Sequence, residues 1–144
     1  MTLSTQAIPR TAPNPVDGRA SDPVADTARV VGSFVCAVAA GVHASLVTAH
    51  LRESTLLGTL FVIDAVILGL TALVVSDRRA WPAHLAGAAA VLAGTALAYV
   101  LSRTAGLPGV IGEPEPVDAL GLFTTLSELV GAGACLLVIL RRDR

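Results

Sequence analysis

Apolar residues in this chain gather into four long runs separated by short polar breaks, instead of alternating with polar ones as they do in a water-soluble fold. The runs cover about residues 30–51, 55–75, 83–101 and 120–140, each close to the roughly 20 residues an α-helix needs to cross a bilayer. The breaks define the connections. Arg52-Glu53-Ser54 is short enough to force an antiparallel hairpin between the first two spans. Ser76 to Pro82 leads into the third, with Trp81 at the membrane interface, where its ring is favoured, and Pro82 where a helix start tolerates it. Residues 102–119 form the longest connection and carry Pro108, Pro114 and Pro116. The pattern predicts an all-α fold, a four-transmembrane-helix antiparallel bundle over residues 29–144. Residues 1–28, with Pro9, Pro13, Pro15 and Pro23 and few large apolar side chains, read as a disordered N-terminal tail on the cytoplasmic side. A signal sequence has an apolar core of only about 7 to 15 residues, so the longer first run reads as retained.

Composition agrees: 53% of residues are hydrophobic and 15% charged. The net charge of -1 conceals a sharp asymmetry. There is no lysine, and Arg10, Arg19, Arg29, Arg78, Arg79, Arg141, Arg142 and Arg144 fall on one side of the spans, against Arg52 and Arg103 on the other. The positive-inside rule then places both termini in the cytoplasm, with the protein in the plasma (inner) membrane and the two hairpin connections outside. Its immediate partner is the lipid bilayer, and a second copy or another membrane protein is compatible with the pattern. Nothing in it reads as a nucleic-acid surface, nucleotide-binding loop or catalytic triad, so an enzyme is the least supported class. Cys36 and Cys135 form no C-x-x-C pair. Small residues at Ala83, Gly87, Ala90 and Gly94 in the third span, and at Gly131 and Gly133 in the fourth, are candidates for close helix packing.

Ionisable side chains at membrane depth cost free energy unless they find partners or water, so each demands a reason. His43, Asp64 and Glu128 each lie eight or nine residues from the outer end of a span, roughly 12 to 14 Å deep at ~1.5 Å per residue. Residues seven apart share a helix face, which aligns Cys36, His43 and His50 on the first span and Gly121, Glu128 and Cys135 on the fourth. Pairing His43 with Glu128 across antiparallel helices then brings Cys36 level with Cys135. His50, Glu53, Tyr99 and Arg103 sit nearer the outer surface, as the mouth of one polar region, with the 102–119 connection as an adaptable lid.

Two readings follow. In one, His43, Asp64 and Glu128 form an outward-facing site for a metal ion, a proton or a small polar solute, within a transport or envelope system. A His with two carboxylates suits a divalent ion such as Zn, Mn or Fe, whereas Cu(I) prefers thiolate and thioether ligands, and Met1 is the sole methionine. In the other, the chain is a structural or assembly subunit whose buried polar cluster only fixes helix packing.

The H-x6-H-x2-E-x4-G pattern from His43 to Gly58, the stretch Tyr99 to Pro108, and Glu115-Pro116 with Glu128 resemble small four-helix membrane proteins of actinobacteria. The resemblance covers about residues 30–140 and implies a fold and a compartment, and no reaction.

Overall fold

The computed structural model describes residues 22–107, 109 and 112–142. The tail expected over residues 1–28 lies outside the described residues up to position 21. Four helices follow: α1 (Pro23–Glu53), α2 (Thr55–Ser76), α3 (Pro82–Thr104) and α4 (Ala119–Arg142). All four are long and apolar enough to span a membrane. Side chains such as Phe34 and Leu73, about 70% exposed, are those of a multi-pass membrane protein with lipid as its solvent.

Capping sets boundaries that hydropathy does not. The first helix begins at Pro23, inside the segment expected as tail. The Asp22 carboxylate accepts from the Val24 (2.9 Å) and Ala25 (3.4 Å) amides, and Pro23 occupies a first-turn position where its missing N–H costs nothing. Between α1 and α2 a single extended residue, Ser54, ends one helix and caps the next, its amide donating to His50 and its hydroxyl accepting from Leu57. So abrupt a reversal needs Gly58, because a β-carbon there would collide with Leu51.

Helix α1 packs against α2 and α4, and α3 against α4, while α2 and α3 scarcely touch. The bundle is therefore closed along α1 and α4 and split along the α2–α3 seam. Its core is confined to the half where α1 starts and α4 ends, here called the base. Val35, Cys36, Leu68, Val75, Leu85, Leu92, Cys135 and Val138 are buried together there.

Glycines fix the α1–α4 register. A β-carbon on Gly32 would lie 3.0 Å from the Cys135 sulfur, and one on Gly131 2.7 Å from Val35 Cγ1. Continuing this antiparallel register sets Ala39 opposite Glu128 and His43 opposite Thr124. The expected matches, His43 with Glu128 and Cys36 with Cys135, are thus displaced by one helical turn, about 5.4 Å. Cys135 faces Gly32, one turn nearer the base than Cys36. Of the glycines expected to pack, Gly131 does, while positions 87, 94 and 133 have open space where a β-carbon would go.

Arginines staple the base. Arg29, almost fully buried, donates to the carbonyls of Val75 (3.1 Å) and Asp77 (2.8 Å), and Arg142 donates to those of Ala80 (2.6 Å) and Arg78 (3.0 Å). These carbonyls lie at the end of α2 and in the turn after it, where helix termination leaves acceptors unpaired.

Candidate functional site

In the opposite, hairpin-end half the space between the helices is open. A cavity of about 630 Å³ lies along the α2–α3 seam and receives side chains from all four helices. Leu46, Leu60, Ile63, Ile67 and Val91 give it apolar walls, while His43, Asp64, Thr95, Thr124, Thr125 and Glu128 supply polar groups.

Helices α1 and α2 bring two of the expected residues into contact. His43 Nε2 lies 3.1 Å from Asp64 Oδ2. The other ring nitrogen, Nδ1, lies 2.9 Å from the Ala39 carbonyl, an obligate acceptor, and so carries a hydrogen. His43 Nε2 and Asp64 Oδ2 thus stand within ion-pairing distance across the α1–α2 hairpin. Phe61 packs against this imidazole at 5.3 Å and against that of His50 at 4.1 Å, fixing both rings.

Glu128 is held differently. It is only 2% exposed, it lines the cavity, and its Oε1 has no hydrogen-bond partner. The register explains why His43 does not reach it: Glu128 lies one turn deeper, beside Ala39. Among the described residues no three His, Cys, Asp or Glu side chains gather closely enough to hold a metal ion. The metal set His43, Asp64 and Glu128 is thus corrected to a pair plus a separate carboxyl in the same cavity.

The mouth is a network. Arg103 pairs with Glu115 and with Asp118 (2.9 Å), and its guanidinium lies 4.7 Å from the centre of the Tyr99 ring. The Tyr99 hydroxyl donates to the Asp118 carbonyl (3.2 Å), and the Glu115 amide donates to that of Ser102 (3.0 Å). Asp118 also caps α4 by accepting from the Gly121 amide at 2.7 Å. That hydrogen bond, followed by the Arg103 bridge, holds the Asp118 carboxyl below the usual carboxylate range. Tyr99, Arg103, His50 and the connection residues Leu107, Glu115 and Asp118 line the cavity, whereas Glu53 touches it only through its 3.1 Å contact with His50. Over its described residues 112–118, the connection expected as an adaptable lid lies across the mouth and is tied to α3 through Glu115 and Asp118.

Sequence reasoning missed Glu115 and Asp118 as partners of Arg103, and Thr124 and Thr125 as neighbours of Glu128. The available signals were an isolated arginine ahead of an acidic, proline-rich connection and a threonine one turn before the intramembrane glutamate.

No protein-family model, curated protein or solved structure matches this chain.

Proposed function

We propose that the protein binds a small amphipathic molecule inside the plasma membrane, in the cleft between α2 and α3, as part of a transport or envelope system. One observation carries this reading: a cavity of about 630 Å³ with apolar walls and convergent polar groups stands where a simple bundle would have core. That volume lies in the ~300–1,000 Å³ range of small-molecule sites and far exceeds what a bare ion or proton requires. The thin α2–α3 contact supports access sideways from lipid. In sequence, eight of the ten arginines precede α1 or fall near its start, lie in the α2–α3 turn, or end and follow α4, which supports cytoplasmic termini and a cleft in the outer half of the bilayer.

The His43–Asp64 pair favours a second reading, because it bridges the extensively packed α1–α2 hairpin and would hold that register without any ligand. Two substitutions separate them. Gly94 lines the cavity and Gly87 does not, yet both have open space at the β-carbon. With the protein in lipid nanodiscs and 4-phenylbutanol as probe, Gly94→Leu weakens binding at least tenfold and Gly87→Leu leaves it unchanged. Equal binding by both variants, or none by the wild-type protein, overturns the cleft reading in favour of the structural one.

A further inference from the structure

A charge inventory of the cleft narrows what it holds. Four carboxylates line it: Asp64, Glu115, Asp118 and Glu128. Asp64 is matched by His43, and Glu115 and Asp118 share Arg103. His50, the remaining basic group in the lining, is engaged by Glu53 outside the cavity. Glu128 alone is left over, buried, facing the cavity, with one oxygen lacking a donor. An isolated carboxylate charge at this depth is costly, so the group carries either a proton or a cationic partner. A ligand anion would meet Asp64 and Glu128 together, and a bare metal ion would find no third ligand among the described residues.

Resting on the cleft reading above, we infer that the ligand is an organic amine cation with an apolar body, which binds in exchange for a proton on Glu128. The ammonium N–H donates to the unpartnered Glu128 oxygen, forming the strong charge-assisted type of hydrogen bond. The carboxyl O–H proton passes to solvent as the cation arrives, so one positive charge enters the site and one leaves. The apolar body lies against Leu60, Ile63, Ile67 and Val91, which explains a cavity far larger than an ammonium group.

The surroundings of Glu128 make the exchange local. On α1 the register puts Ala39 beside it, with His43 one turn toward the mouth and Cys36 toward the core, and on α2 the nearby acid is Asp64, already paired. From α3 it faces the Thr95 hydroxyl, with Tyr99 and Arg103 farther out. Its own helix adds Thr124, Thr125 and, below, Cys135. No permanent cation on any of these elements lies at its level.

Calorimetric titration in nanodiscs with 4-phenylbutylamine and 4-phenylbutanol, empty nanodiscs as baseline, tests this. The two probes share an apolar body and differ in charge. The amine binds at least tenfold more tightly than the alcohol, more tightly at pH 8 than at pH 6, and buffers of different ionisation enthalpy register one proton released per amine. Glu128→Gln brings the amine down to the affinity of the alcohol and abolishes proton release. Should that variant fail to fold, the proton count on the wild-type protein decides alone. Amine and alcohol binding alike, with no proton released, overturns the cation exchange and leaves the cleft reading standing. Failure of both probes to bind overturns the cleft reading and this inference together.

Discussion

At the scale of single residues, two glycines two positions apart in α4 have opposite surroundings. A β-carbon on Gly131 would press on Val35 and on Leu92 Cδ1 (3.0 Å), whereas one on Gly133 meets open space. Overpacking a well-filled helix contact costs about 1–3 kcal/mol. Gly131→Ala is therefore expected to lower unfolding free energy by that amount, while Gly133→Ala leaves it unchanged or slightly raised. Denaturant titration in mild detergent compares them, and equal effects would dissolve the α1–α4 register described above. The His43–Asp64 pair gives a second residue-scale expectation. Removing one partner strands the other, so Asp64→Leu should cost about 1–3 kcal/mol, whereas the double variant His43→Leu with Asp64→Leu recovers much of it. A purely additive double variant would show that the two groups are not energetically coupled.

Among the elements, the α3–α4 connection has its stability tied to pH. Asp118 has its folded carboxyl held down by the Gly121 amide and then by Arg103. A depressed folded value means stability present above the unfolded carboxylate pKa of ~3.9 and lost as pH falls through the folded one. Exchange of the Glu115 amide, which donates to Ser102, should accordingly stay slow relative to its intrinsic rate at neutral pH and lose that protection in acid below the ordinary carboxylate range. Arg103→Gln should accelerate it already at neutral pH, and protection unchanged by either would show that the strap does not hold the connection.

These elements also show how far the sequence could be read. Four spans and their antiparallel order follow from hydropathy alone, because lipid demands long apolar helices with internally satisfied backbones. The start of α1 at Pro23 does not, since it rests on an Asp22 cap in a polar segment that a hydropathy window discards. The depths of His43 and Asp64 were legible because a one-residue turn rigidly ties α1 to α2. Glu128 was not placed so well. A seven-residue face pattern stays self-consistent when one helix slides by a turn, so it cannot choose the register that Gly32 and Gly131 select by contact. Nor does a one-dimensional pattern disclose that α2 and α3 stand apart, which is what turns scattered polar residues into a lined cavity.

Over the whole molecule, the two halves differ in construction. The buried Arg29 and a close-packed core hold the base, while the hairpin-end half keeps a cavity and relies on one strap. Local opening follows contact density, so motion of α2 against α3 belongs to the hairpin end and the base serves as its hinge. Cysteines report this division directly. Cys36 and Cys135 are fully buried in the base core. Reagent reaches a thiol only where the structure opens, so both should resist a small membrane-permeant alkylating reagent until the bundle unfolds globally. A cysteine placed at Gly94, in the cleft wall, should react without unfolding, and 4-phenylbutanol should slow it. Mass spectrometry of the labelled peptides gives all three rates in one experiment. Cys36 or Cys135 reacting as fast as the Gly94→Cys thiol would mean that the base opens as readily as the cleft, and a base that opens so readily is no hinge.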